Sequence, residues 1–250
     1  MRLFCLMLCA IIWSNHAHGE CRFSSTESVF PLEPGQNLYI WHGESMALLE
    51  PSDEIGPLLS RYRTEINEVV PDTDPVVLLE RQRDRFVEAS GVAAGVAYNQ
   101  VISGALGDLR PMSCLETLLM EVQLSGLPRL SALAEFQSNI TLSEDGTLLN
   151  IYAAFGSDIS PPDRNYLLPY LQADLQEGYS YYAHLHNHPF YLDNPTLDVA
   201  GTLIPSGTLY GFGDIFVYNQ YRELFDLDLM WITNGFDSVS FEGREIGLFR

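Results

Sequence analysis

Tyr179-Ser-Tyr-Tyr-Ala-His184-Leu-His186-Asn-His188-Pro189-Phe190 decides how this chain is read. Read as a strand from Tyr179 to His188, its period of two sets His184, His186 and His188 on one face. Three of the chain's six histidines fall in these five residues. Neutral imidazole is a common metal ligand, so a row of three points to a metal. Pro189 ends the strand, because it has no N–H for a ladder and restricts the residue before it. The last histidines therefore sit at a strand end, where a site can open to solvent. The competing reading is the polar face of a surface strand.

Downstream, Phe190 to Gly207 reads as a long loop able to lie over the site. Gly211-Phe-Gly-Asp214 then opens a helix, Asp214 to Phe225, with Ile215, Tyr218, Tyr221, Leu224 and Phe225 apolar. Asp214 fits its first turn, where a carboxylate is favoured, and simple capping is its bland role. Leu227–Thr233 and Phe236–Phe241 flank Asn234-Gly235 as a hairpin. Upstream, Ser131–Leu142 and Thr147–Phe155 flank an Asp145-Gly146 turn as another hairpin. Glu135 stands inside the apolar stretch of the first strand, where a carboxylate is costly unless something uses it; the polar face of an edge strand is the alternative. A helix from Arg164 to Leu175 delivers the chain to the histidine strand.

The first half reads differently. Arg2, the apolar run Leu3–Trp13 and Ala17-His-Gly19 form a secretory signal, residues 1–19, too short to span a bilayer. Asn37–His42 is a short candidate strand. Ser52 caps a helix striped by Ile55, Leu58, Leu59, Tyr62, Ile66 and Val69. A second helix runs from Val76 to about Leu106, ended by Gly107 and Pro111, and a third covers Met112–Leu124. Arg81, Arg83 and Arg85 of the second helix read as a solvated helix face paired with neighbouring glutamates. Gly126-Leu-Pro128 marks a boundary, giving a mostly helical region, 20–127, before an α/β domain, 128–250.

Cleavage after Gly19 leaves Cys21 and Cys114 as the only cysteines, and in an exported chain they pair as one disulfide, free thiols being the alternative. Signal removal also leaves 33 acidic residues against 12 arginines, a formal charge of 12 − 33 = −21, and the chain contains no lysine. Such a field disfavours nucleic acid and anionic membranes. It argues against a nuclease built on the His-Asn-His string, which needs phosphate-neutralising cations. The chain reads as exported, secreted or periplasmic, with no membrane span. Asn139-Ile-Thr141 is a glycosylation sequon that matters only in a glycosylating host.

His186-Asn-His188-Pro189, with Pro205-Ser206 and the helix-opening Asp214, resembles the signature of the JAMM (MPN-plus) metalloproteases. That signature has two histidines one residue apart, a Ser-x-x-Asp further on and a glutamate on an upstream strand. The bacterial branch, with its His-x-His-Pro, is the nearest in pattern, and the resemblance covers the chain from about Pro128 onward. Carried over by position, it implies His186, His188 and Asp214 as zinc ligands, and Glu135 as the proton-shuttling carboxylate, with Glu116 and Glu121 as rivals on a helix. Two departures stand out. His188 and Asp214 lie farther apart than in the family, and the residue three before Asp214 is Gly211. Ser206 is then either the displaced family serine or unrelated to the site.

The fold expected is α/β (α+β): a JAMM-like mixed sheet with flanking helices, preceded by the helical region. Two histidines and one aspartate leave a fourth zinc position for water, which suits hydrolysis of a peptide or isopeptide bond. A peptide or protein would be the substrate. A non-catalytic JAMM-like scaffold is the competing function. An amidohydrolase or PHP phosphoesterase, which also uses His-x-His at a strand end, lacks its later ligands here, since only 62 residues follow His188.

Overall fold

The computed structural model describes residues 21–70, 72–127, 134–157, 161–190, 201–207 and 213–249. The expected export signal, the first residues of the strand expected from Ser131, the middle of the loop after Phe190, and Gly211 lie outside them.

One mixed sheet organises the described residues. Its strands are β1 (Ser28–Pro31), β2 (Asn37–Ser45), β3 (Asp108–Pro111), β4 (Phe136–Leu142), β5 (Leu148–Phe155), β6 (Ser180–Asn187), β7 (Leu229–Thr233) and β8 (Asp237–Glu242), in the spatial order β1-β2-β5-β4-β6-β7-β8-β3. Every neighbouring pair is antiparallel except β6 and β7, which run parallel. Six α-helices accompany them: α1 (Pro57–Val69), α2 (Pro75–Ser90), α3 (Val96–Ile102), α4 (Cys114–Ser125), α5 (Leu168–Gln176) and α6 (Asp214–Phe225). The architecture is thus the mixed α/β sheet expected.

Local chemistry explains the helix boundaries. Asp74 accepts from the backbone N–H groups of Val76 and Val77, and Pro75 occupies the first turn of α2, where a missing N–H costs nothing. Ser113 and Glu116 form a reciprocal capping box at the start of α4. The second helix is shorter than its apolar pattern suggests. It stops at Gly91, whose φ of 86° only glycine adopts readily, and resumes as a tight turn and then α3.

Alternation along the strands sorts the core into two faces. Trp41, Phe136, Ile140, Ile151, Leu185 and Trp231 pack with Leu59, Tyr62 and Ile66 of α1 and Leu115 and Leu119 of α4. On the other face Tyr181, Met230, Ile232, Val239 and Phe241 meet Tyr218 and Tyr221 of α6. Fully burying a side chain of this size contributes about 1.5–3 kcal/mol.

The N-terminal half, read as mostly helical, also supplies β1 and β2 to one sheet edge and β3 to the other. Two of these strands are only four residues long, too short to show a period of two. Cys21 and Cys114 are disulfide-bonded across a sequence separation of 93, tying the chain's start to the first residue of α4. Asn139, the sequon residue, is fully buried in central β4 and accepts from the Tyr181 hydroxyl, so the folded chain offers it to no glycan. No helix of the described residues is long and apolar enough to cross a membrane.

Candidate metal centre

The single parallel pair brings the site together. Because β7 runs alongside β6 in the same direction, the chain must cross back between them, and α6 lies in that crossover. The C-terminal end of β6 and the N-terminus of α6 therefore lie at one end of the sheet, where ligands of α/β sheets gather. His186 and His188 come from the first and Asp214 from the second. Antiparallel β4 begins at the same place. Its register pairs Gln137 with His186, and Glu135, just before β4, lies near enough to His188 and Asp214 for both to act on its charge.

His186 Nε2 and His188 Nε2 are 2.9 Å apart, and Asp214 Oδ2 lies 3.5 Å from the former and 3.3 Å from the latter. Ligands held about 2 Å from one tetrahedral ion are separated by about 3.3 Å. These three atoms match that spacing, and the group could hold a metal ion. The imidazoles are also prepared for it. His188 Nδ1 donates to the Thr202 carbonyl at 2.9 Å, leaving its Nε2 lone pair free. His186 Nδ1 is hydrogen-bonded to the Tyr218 hydroxyl. The backbone N–H of His188 donates to Thr233 O at 2.8 Å, extending the parallel pairing one residue past β6.

Asp214 is aimed by Ser206. The Ser206 N–H donates to Asp214 Oδ2 at 2.6 Å, and the Ser206 hydroxyl accepts from the Asp214 N–H at 3.2 Å. Gly213 permits this approach. Its φ is 103°, and a Cβ there would lie 3.0 Å from the Ser206 carbonyl oxygen. Ser206 thus fixes the carboxylate at the start of α6.

Charges in the group are coupled. Burial alone would raise Asp214, but the facing imidazoles of His186 and His188 hold its carboxyl well below the usual range. Burial lowers His186, with Asp214 opposing. In His188 burial is overcome by the Asp214 hydrogen bond and charge, and its pKa rises. Burial pushes the Glu135 carboxyl up to about 8, with His188 opposing and Asp214 reinforcing the rise.

The third histidine of the row is not a ligand position. His184 shares the face of His186, their ring centroids 6.2 Å apart, but its Nδ1 is bonded to Asn139 Oδ1 at 2.8 Å and lies 3.3 Å from the Tyr181 hydroxyl. Burial pushes its pKa down to about 3, so it stays neutral. Tyr181 reaches that face, although three residues away, because the β4–β6 register slips between Ile140 and Thr141. Nor do the rival glutamates approach the centre. Glu116 is bonded to Arg110 and to the Ser113 N–H, and Glu121 accepts from Leu58 N and Leu59 N at the start of α1.

Three contributors were not singled out from the sequence. Tyr218 sits four residues after Asp214, one helical turn along the same face, and that spacing is a usable signal. Asn187 accepts from Phe136 N–H at 2.7 Å and donates to Ala134 O at 3.2 Å, so its amide clasps the backbone on both sides of Glu135. The Thr202 carbonyl carries no sequence signal at all.

Comparison with family models, with curated proteins and with solved structures finds no match to this chain.

Proposed function

We propose that this protein is an exported zinc-dependent hydrolase of amide bonds, acting on a peptide or isopeptide. The observation that carries the reading is the convergence of two imidazole Nε2 atoms and one carboxylate oxygen at the sheet end where Glu135 enters. Two nitrogens and one oxygen are a donor set suited to zinc with one position left open. Zinc held there would polarise a carbonyl and lower the pKa of a water molecule.

The chain's own residues supply the rest. Thr202 and Tyr218 fix the two imidazoles, and Ser206 fixes Asp214. Glu135, within electrostatic reach of His188 and Asp214, takes the role of general base toward the attacking water and then of general acid toward the leaving amine. Ser206 is assigned to holding Asp214, since its N–H donates to Asp214 Oδ2 and its hydroxyl accepts from the Asp214 N–H. The resemblance to the JAMM metalloproteases supports the roles given to His186, His188, Asp214 and Glu135.

The test is cleavage of a peptide and isopeptide library by zinc-loaded protein. Glu135→Gln should keep fold and metal while losing about 10²- to 10⁴-fold in rate. Cleavage by Glu135→Gln at the wild-type rate would sink the assignment of Glu135. No cleavage by the zinc-loaded wild type would favour the non-catalytic scaffold instead.

A further inference from the structure

A cavity of about 450 Å³ opens on the same face of the sheet as α5, away from the candidate metal centre. Its lining includes Asp174 and Glu177 from the α5 region, Asn150 and Tyr152 from β5, Tyr170 and Tyr179. Tyr179 immediately precedes β6, whereas His188 immediately follows it. A strand of eight residues at about 3.3 Å each separates the two places by more than 20 Å.

The lining has two features that belong together. Asp174 is 5 % exposed, and its carboxylate accepts only from neutral donors: the Thr141 hydroxyl, Asn150 Nδ2 at 3.0 Å, and the Tyr152 hydroxyl. Asn150 is itself held by the Gly43 N–H at 3.0 Å, so the floor is rigid. Among the described residues no arginine lines the cavity, and His42 is the one lining side chain able to carry positive charge. Around this floor stand aromatic rings. Tyr152 and Tyr170 stack at 5.4 Å between centroids, and His42 meets Tyr152 edge-on at 5.7 Å. Ring faces attract cations, and a buried carboxylate is stabilised by one.

We propose that this cavity binds an organic cation bearing a primary ammonium group, of the kind a lysine side chain carries. The size is that of an organic ligand, not of a bare ion, and among the described residues His42, Asp174 and Glu177 do not come together as a group that could hold a metal ion. An ammonium supplies three N–H donors for Asp174 and Glu177, and its alkyl stem lies against the tyrosines. A chain of formal net charge −20 also draws cations toward itself.

The experiment is an NMR titration of the disulfide-intact protein with Nα-acetyl-lysine N-methylamide, and separately with the neutral Nα-acetyl-norleucine N-methylamide. Saturable shifts at Tyr170 and Tyr179 are expected with the lysine compound, and weaker binding by the norleucine one. Tyr170→Leu and Glu177→Gln, both outside the buried network, should each weaken binding about 3- to 30-fold. Asp174→Asn is avoided because it disturbs three hydrogen bonds of the core. Absence of saturable shifts, equal binding by norleucine, or unchanged affinity in both variants would overturn the proposal. None of these outcomes bears on the metal centre.

Discussion

Asn187 stands between the two histidines of the candidate centre without offering them anything, and its amide is spent on Phe136 N–H and Ala134 O. Asn187→Ala would leave both of these backbone groups without that partner next to a buried strand end, a loss of about 1–3 kcal/mol. Chemical denaturation should therefore show a lower midpoint for Asn187→Ala with an unchanged slope. An unchanged midpoint would show that the clasp is not needed. Tyr218 acts differently, since it touches a ligand imidazole. Tyr218→Phe should leave stability nearly intact and weaken zinc affinity by about tenfold or more, as loss of a group supporting a ligand does. Competition against a zinc chelator reads that change directly.

At the scale of elements, the β7–β8 hairpin carries a pH dependence. Asp237 opens β8, and burial raises its carboxyl to about 6, against the partial compensation of Arg63. Between its unfolded value of about 4 and about 6, the folded state holds more protons than the unfolded one. Stability therefore falls as pH rises through that window. Asp237→Asn should remove this component of the fall, so thermal unfolding at pH 4 and pH 7 should differ less than in wild type. An unaltered difference would contradict it. The same hairpin also shows what the sequence could convey. Asn234-Gly235 between two apolar runs announced it, just as Asp145-Gly146 announced β4–β5, because turn chemistry is local. The start of α6 at Asp214 was legible for the same reason. The break at Gly91 was not, because an isolated glycine in an apolar helical pattern is tolerated as often as it stops a helix. The edge strand β3 owes its pairing to β8, far along the chain, which no local pattern encodes. By contrast, β1 pairs with its neighbour β2 but is too short to show a period of two. At the site, strand alternation pointed to three histidines, but it could not tell that Asn139 and Tyr181 satisfy His184 and withdraw it from the group.

Across the whole molecule, the N-terminal half completes both edges of the sheet and is pinned by Cys21–Cys114. Closing a loop across a separation of 93 residues removes unfolded-state entropy worth about 4–5 kcal/mol in the chain-entropy model. Reduction, or the Cys21→Ser/Cys114→Ser pair, should lower the unfolding free energy by a few kcal/mol; equal stability of oxidised and reduced protein would contradict that. The disulfide fits an oxidising, extracellular location. The central claim is that one end of the sheet is a three-ligand metal centre, and metal content is its most direct test. Purified protein equilibrated with a zinc buffer and freed of loose metal should retain about one zinc per chain by elemental analysis, and His188→Ala should retain almost none. Wild-type protein without bound metal, or His188→Ala with as much as wild type, would contradict the account.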